Sequence, residues 1–236
     1  VKSRSEVQSD AKEVLTPELR EIYESVVEMK KGETAPLVEA EVERGIEAQV
    51  ILDFALIAAM EEVGNLFADG TYFVPEMLMA AMEMKAGLEV IRPILTASGI
   101  PPRGTVVIGT VRGDVHDIGK NLYGMMMEGA GYEVVDIGVR RTADEFIDAL
   151  EEHDAEILGM SAMLTTTMPY MKIVVDEMVR RGIRDEYTIL VGGAPLNAEY
   201  GMSFGADAYC VDAGVGVATA NTAIDGQAKA RCIQVN

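Results

Sequence analysis

The feature that most constrains the fold is a change of hydrophobic period in the middle of the chain. In the first part, apolar residues recur at the three- and four-residue spacing of amphipathic helices, whereas in the second part short β-branched runs alternate with helical segments. The stretch 97–104 between them is rich in Gly and Pro, as is typical of a linker. The sequence therefore predicts a helical domain over 13–98, an α/β domain over 103–224 and an irregular tail over 225–236.

The helical part predicts four helices joined by short connections. They are expected near 18–30, 35–45, 47–67 and from Pro75 onward, where a proline suits the first turn of a helix. This fourth helix carries the apolar residues Met77, Leu78, Met82, Leu88, Ile91 and Leu95. Short connections between helices favour an antiparallel bundle.

The second part predicts five strands, near 105–110, 133–139, 157–160, 188–191 and 208–211. Helices fit between and after them, near 120–130, 143–152, 168–181, 197–204 and from 214 onward. This alternation predicts a parallel sheet with helices on both faces. Such sheets bind ligands outside the carboxyl ends of their strands.

The charge and composition limit the partners and the compartment. A net charge of −19 excludes nucleic acid and anionic membrane surfaces as partners, because polyanions are bound by basic patches. The chain opens without an apolar signal region, and its apolar runs are too short to span a bilayer. Its cysteines, Cys210 and Cys232, have no metal-type spacing. We expect a cytoplasmic protein, with Cys210 as a small buried apolar residue.

The candidate ligand-binding residue is His116, in the loop after the first predicted strand. Asp114 lies two residues before it and can accept a hydrogen bond from one imidazole nitrogen, which leaves the other for a metal. Gly113 and Gly119 flank the pair, as expected where the backbone approaches a bulky ligand. A single histidine in a loop is more often a plain surface residue, so the loop alone leaves both interpretations open.

Two further segments extend the motif Asp114-x-His116-x-x-Gly119. These are Ser161-Ala162-Met163 and Gly192-Gly193, each at the end of a predicted strand. The three segments with their spacing resemble the cobalamin-binding domain of methionine synthase, corrinoid methyltransferase carriers and adenosylcobalamin mutases. The resemblance covers about residues 103–222 and implies a flavodoxin-like (Rossmann-like) five-stranded sheet; Met163 stands where the family often has leucine.

The resemblance implies that His116 replaces the cofactor's own nucleotide base as the lower axial ligand of cobalt in a cobalamin or related corrinoid. The displaced tail would run between the strands, where Ser161 and Thr165 would bind it and Gly192 and Gly193 would leave room. Thr167 matches a hydroxyl position that supports the Asp–His pair. Further cofactor contacts are implied for Gly113, Asp114, Val115, Asp117, Gly119, Met163 and Ala213. As alternatives, the hydroxyl residues would cap a helix, and the glycines would serve an ordinary strand-to-helix turn.

Residues 63–76 resemble the helical module that precedes this domain in methionine synthase and in free-standing corrinoid proteins. Phe67 and Val74 match the positions that cap the face of the cofactor carrying the methyl group, although both would also suit a bundle core. Asp53 matches a polar position near the cofactor, or is an exposed helical carboxylate. Because mutases generally lack this module, its presence favours methyl transfer.

The resemblance therefore implies a corrinoid-binding methyl carrier in one-carbon metabolism, cycling between cobalt(I) and methylcobalt(III). Such a chain is a component of a methyltransferase complex rather than a complete enzyme. Its expected partners are a substrate-specific corrinoid methyltransferase, a second methyltransferase that serves the acceptor, and a reductive activase. The alternatives are the small subunit of an adenosylcobalamin mutase and a cobalamin-dependent sensor or regulator. The second histidine, His153, is expected to be solvated at a helix end.

Overall fold

A computed structural model describes residues 15–99 and 101–226. The chain divides near Pro101 into two compact units, with residues 129–131 grouped with the first. The predicted tail from 227 onward, with Cys232, and the first two residues of the predicted helical domain lie outside the described residues.

The first unit is helical. Its elements are α1 (Pro17–Val27), α2 (Thr34–Glu43), α3 (Ala48–Ile51), a π-helical segment (Leu52–Ile57), α4 (Ala58–Ala68) and α5 (Val74–Ala97). The four predicted helices are therefore present, the third as a run from α3 to α4. The apolar period does not predict its π-helical segment. No helix in the described part of the chain is long and apolar enough to cross a membrane.

The core of this unit is apolar with one buried polar network. Its largest fully buried side chains are Ile22, Ile51, Leu56, Met77, Met84 and Ile91. The Glu83 carboxyl group accepts hydrogen bonds from Gly32 N at 2.8 Å and Thr34 Oγ1 at 3.0 Å, so this buried polar group has partners. Of the apolar residues on the last helix, Met82 lies outside this core, with a side chain that is 63% exposed. Met82 follows Met77 by five residues, which turns it about 140° away from the buried stripe of the helix.

The second unit is a parallel α/β sheet. Its strands are β1 (Thr105–Thr110), β2 (Glu133–Asp136), β3 (Ile157–Ser161), β4 (Thr188–Gly192) and β5 (Ala208–Cys210). Its helices are α6 (Ile118–Gly129), α7 (Ala143–Glu152), α8 (Pro169–Arg181), α9 (Ala198–Ser203) and α10 (Ala213–Ile224), with a 3₁₀ turn at Arg184–Glu186. The strand order β2-β1-β3-β4-β5 confirms the predicted flavodoxin-like sheet.

The register of the sheet places the predicted site residues side by side. Thr110 at the end of β1 pairs with Ser161 of β3, Ser161 pairs with Gly192 of β4, and Gly192 pairs with Cys210 of β5. The carboxyl ends of four neighbouring strands therefore form one row, and the loops that follow them share one edge of the sheet.

Candidate functional site

The loop that carries His116 begins directly after β1. Gly113 adopts φ +88°, a left-handed conformation that suits glycine and turns the chain back toward the sheet. Asp114 is fully buried, whereas the side chain of His116 is 48% exposed. The buried Thr110 hydroxyl donates a hydrogen bond of 2.8 Å to the His116 carbonyl oxygen. The loop thus presents the imidazole at the edge of the sheet while its backbone is tied to the strand.

Asp114 Oδ1 fixes the imidazole. His116 Nδ1 lies 2.6 Å from this oxygen, and the His116 backbone N–H donates to the same oxygen at 3.1 Å. An ionised carboxylate only accepts hydrogen bonds, so the ring proton resides on Nδ1. The Nε2 lone pair of the neutral ring is left for a metal, which is the usual arrangement of a histidine ligand held by a carboxylate.

The other carboxylate oxygen of Asp114 is bound by the loop after β3. The backbone N–H groups of Met163 and Leu164 donate to Oδ2 at 2.8 and 3.1 Å. Thr167 Oγ1 lies 2.7 Å from Oδ2 and 2.9 Å from the Leu164 carbonyl oxygen. A hydroxyl has one proton to donate, and a charged acceptor makes the stronger bond. The carboxylate therefore receives it.

These contacts decide the charge of Asp114. Burial opposes ionisation and by itself raises the pKa of Asp114. Hydrogen bonds from Thr167, His116 and Met163 outweigh burial and hold the pKa of this carboxyl well below its ordinary value. Asp114 is therefore a carboxylate at neutral pH and keeps the Nδ1 proton of His116 in place.

Large apolar side chains are exposed in the loops at this edge of the sheet. They follow β1, β3 and β5, and they are Val115 (48% exposed), Ile118 (73%), Met163 (46%), Leu164 (41%) and Val211 (67%). Large apolar side chains exposed together mark a ligand or partner surface. A histidine nitrogen with a free lone pair, in a loop that also exposes Val115 and Ile118, fits a flat, largely apolar macrocycle with a central metal, so the residues present fit a corrinoid.

The remaining predicted pocket residues lie along the same row. Ser161, Gly192 and Ala213 are half-buried, and Thr165 is exposed. The alternative role of the hydroxyl residues as helix caps is wrong, because α8 begins after Met168 without a side-chain cap. The structure therefore brings Thr167 to Asp114 and leaves Ser161 and Thr165 available for a ligand.

The glycines differ in what the fold requires of them. Gly193 adopts φ +141°, and a Cβ there would lie 1.9 Å from the Ala162 carbonyl oxygen. A Cβ at Gly192 would lie 3.3 Å from the Cys210 carbonyl oxygen, whereas one at Gly119 would meet nothing within 4 Å. Close backbone packing accounts for Gly193 without a ligand, and the space beside Gly119 is open.

The helical unit carries the two predicted capping residues. Phe67 is half-buried near the end of α4, and Val74, the first residue of α5, is 40% exposed. Val74 therefore does not belong to the bundle core. Asp53 is half-buried and accepts a hydrogen bond of 2.8 Å from Gln49 Nε2. Their predicted contacts with a cofactor stay predictions.

His153 and Cys210 of the α/β unit are not part of the predicted site. His153 is exposed at the carboxyl end of α7, as predicted. Cys210 is partly accessible rather than fully buried, although burial of its thiol raises its pKa to about 12. A thiol with such a pKa is protonated at neutral pH and is a poor nucleophile.

Sequence reasoning missed two parts of this site. The hydroxyl of Thr110 holds the His116 carbonyl, and the N–H groups of Met163 and Leu164 hold Asp114. The first contact could have been predicted, because Thr110 is a threonine at the end of the strand directly before the loop. The second uses backbone groups, which every residue possesses, so the side-chain pattern carries no signal for it.

Replacement of Thr167 by valine removes the hydroxyl that binds Asp114 and keeps a β-branched shape. Loss of a hydrogen bond to a buried charge typically costs about 2 kcal/mol. We expect Thr167→Val to lower the free energy of unfolding of the ligand-free protein by about that amount, measured by urea denaturation. Thr167→Ser keeps the hydroxyl and is the matched control, with a loss of less than about 1 kcal/mol. Equal losses in both variants would show that packing, not the hydrogen bond, is lost.

Comparison with known proteins gives two family matches. Residues 104–224 match the model of a B12 binding domain, and residues 18–92 match a second B12 binding domain model. The chain is 37% identical over 204 residues to dimethylamine corrinoid protein 1 of Methanosarcina acetivorans, covering 86% of this chain and 95% of that protein. It is 34% identical over 206 residues to a corrinoid protein of Desulfitobacterium hafniense, with the same coverage.

Solved structures agree with these matches. The crystal structure of a methanol:cobalamin methyltransferase complex from Methanosarcina barkeri aligns with a TM-score of 0.79 and 30% identity, over 92% of this chain and 83% of that chain. A cobalamin-binding protein from Desulfitobacterium hafniense aligns with a TM-score of 0.72 and 28% identity, over 86% of this chain and 97% of that chain.

Proposed function

The chain belongs to the family of corrinoid proteins built on B12 binding domains, and we propose that it carries a methyl group on a corrinoid between methyltransferases. The observation that carries this proposal is the pair of Asp114 and His116, with Nδ1 bound at 2.6 Å in a side chain that is 48% exposed, which leaves Nε2 for a metal. A bound corrinoid supplies a cobalt centre that accepts a methyl group from one partner and gives it to another.

In this proposal Nε2 of His116 would bind the cobalt of the corrinoid. Asp114 and Thr167 are positioning residues: Asp114 contacts the imidazole, and Thr167 contacts the carboxylate of Asp114. The hydrogen bonds that Thr167, Met163 N and Leu164 N donate to Asp114 keep the imidazole oriented while it is unbound.

The other predicted residues receive roles toward the same cofactor. The loop residues Gly113, Val115, Asp117, Gly119 and Met163 border the corrin ring. Ser161 and Thr165 would bind the displaced nucleotide tail, Gly192 and Gly193 would leave room for it, and Ala213 would line its pocket. Their location along the carboxyl ends of β1, β3 and β4, and at the start of α10, supports both assignments.

We propose the helical unit as a cap domain over 13–98 and the α/β unit as a cofactor-binding domain over 103–224. Phe67 and Val74 would cover the methyl-bearing face and exclude water from it. The match of residues 18–92 to a B12 binding domain model supports this division.

The partners follow from the relatives. A structural relative is part of a methanol:cobalamin methyltransferase complex, and sequence relatives are dimethylamine and trimethylamine corrinoid proteins. We therefore propose that a cytoplasmic methyltransferase acting on a methylated amine or methanol loads this chain. A second methyltransferase unloads it, and a reductive activase returns the cofactor to its lowest oxidation state.

The test is methyl loading of the reconstituted full chain. The protein is loaded with hydroxocobalamin, reduced chemically, and mixed with the methyltransferase encoded beside it and with dimethylamine, trimethylamine or methanol in turn. We expect the visible spectrum to change to that of a methylated corrinoid with one donor, in proportion to the amount of chain. If no donor loads the chain, and a mutase large subunit gains activity from it instead, methyl carriage is wrong.

A further inference from the structure

A buried hydroxyl group in the α/β unit has no hydrogen-bond partner among the described residues. It belongs to Tyr123 of α6, and its oxygen is almost completely inaccessible to solvent. Burial raises the pKa of Tyr123 well above its ordinary value, so the phenol stays neutral and keeps its proton. Buried polar groups in native proteins are nearly always paired. The hydroxyl therefore has an unused capacity to bind a ligand or an ordered water molecule.

Two glycines make room for the ring of this tyrosine. A Cβ at Gly159 of β3 would lie 3.1 Å from Tyr123 Cε1, and one at Gly216 of α10 would lie 2.7 Å from Tyr123 Cε2. The ring is therefore held between the sheet and the last helix, where any larger residue at Gly216 would displace it. Such close fitting on both sides fixes the position of the hydroxyl.

The same two elements carry the residues proposed to hold the nucleotide tail. Gly159 and Ser161 point to one face of β3, because side chains alternate along a strand, and they lie about 7 Å apart. Gly216 follows Ala213 by three residues and lies on the same side of α10. Tyr123 is therefore one layer deeper in the unit than Ser161 and Ala213, on the same face of the sheet.

Solvent accessibility differs between the ring of Tyr123 and its hydroxyl group. Ser161, Gly192, Ala213 and Tyr123 all keep partial exposure, although the hydroxyl of Tyr123 is buried. The ring thus keeps some access to solvent, while the hydroxyl group has none and no protein partner among the described residues.

We propose that Tyr123 is a specificity residue for the nucleotide part of the corrinoid, to which its hydroxyl hydrogen-bonds one layer below Ser161 and Ala213. This inference rests on the proposed function, because it assumes that a corrinoid binds with its tail displaced by His116. It predicts that affinity depends on the hydroxyl of Tyr123 only for corrinoids that possess a nucleotide.

The experiment compares two corrinoids on the full-length chain. Hydroxocobalamin possesses the nucleotide tail, whereas cobinamide possesses the same ring without it. We expect Tyr123→Phe to weaken hydroxocobalamin binding roughly fivefold, the effect of one buried hydrogen bond, and to leave cobinamide binding unchanged. Dissociation constants are measured by equilibrium dialysis with absorbance detection.

A matched control is Tyr132→Phe. The Tyr132 hydroxyl, in the same unit, donates a hydrogen bond of 3.0 Å to Asn221 Oδ1. We expect this control to lower the stability of the ligand-free protein without discriminating between the two corrinoids. Tyr123→Phe should leave that stability unchanged or slightly higher, because it removes an unpaired polar group.

The outcomes separate the two proposals. If Tyr123→Phe binds both corrinoids as tightly as the wild type, or weakens both equally, the hydroxyl does not contact the nucleotide and the inference is overturned. If the wild-type chain binds neither corrinoid, the proposed function itself fails, and this is visible before any variant is compared.

Discussion

Replacement of His116 by alanine is expected to abolish histidine ligation of cobalt in the reconstituted protein. Asp114 holds the imidazole at 2.6 Å through Nδ1, and the opposite nitrogen is left to bind a metal. Removing it leaves no metal donor at this position. The measurement is the EPR spectrum of the cobalt(II) state after loading with hydroxocobalamin, using protein labelled with ¹⁵N at histidine only.

The label distinguishes the protein's histidine from the cofactor's own base. A ¹⁵N ligand splits each cobalt line into a doublet, whereas the ¹⁴N of the base gives a triplet. We expect doublets in the wild type and their complete loss in His116→Ala, with triplets if the base rebinds. His153→Ala is the matched control, because His153 is exposed at the end of α7. If the doublets survive in His116→Ala and vanish in His153→Ala, the cobalt ligand is His153 and the assignment to His116 is wrong.

Much of the fold could be predicted because the period of apolar residues reports directly on burial. The buried strand Thr105–Thr110 and the helix Ala143–Glu152 begin and end where the sequence pattern predicts. The second strand was predicted to continue to Val139, but β2 ends at Asp136. There the Asp136 carboxylate accepts a hydrogen bond of 2.8 Å from Gly138 N, and Gly138 adopts φ +86°. This turn competes with the strand, and apolar spacing does not register it.

The side-chain contacts of the candidate site could be predicted from the sequence, whereas its backbone hydrogen bonds could not. The sequence motif leads to Asp114, His116 and Thr167, and these three residues form one hydrogen-bonded chain. The same motif does not predict that the backbone N–H of Met163 donates to the Asp114 carboxylate, because nearly every residue has a backbone N–H. Backbone donors become visible only when the register of β1 and β3 brings their loops together.

Among glycine-to-alanine substitutions in the cofactor-binding unit, Gly193→Ala is expected to lower the free energy of unfolding the most. Its Cβ would lie 1.9 Å from the Ala162 carbonyl oxygen, and its φ of +141° is one that L-residues rarely adopt. The contact atom belongs to the backbone, and Ala162 N also donates to the Gly192 carbonyl oxygen at 3.2 Å, so neither loop can move alone. We expect the free energy of unfolding to fall by about 4 kcal/mol, the range reserved for severe steric conflict.

Gly119→Ala is the matched control for this substitution. A Cβ at Gly119 meets nothing within 4 Å, and α6 gains a residue that favours helix. We expect its stability in urea to equal or slightly exceed that of the wild type, while Gly193→Ala unfolds at much lower urea or is recovered only as aggregate. If Gly193→Ala unfolds within about 1 kcal/mol of the wild type, the loops after β3 and β4 are not held together as described. In that case Gly193 would serve to leave space for the nucleotide tail. Gly193→Ala would then bind hydroxocobalamin more weakly than the wild type, with cobinamide binding as the reference, while its free energy of unfolding would stay the same.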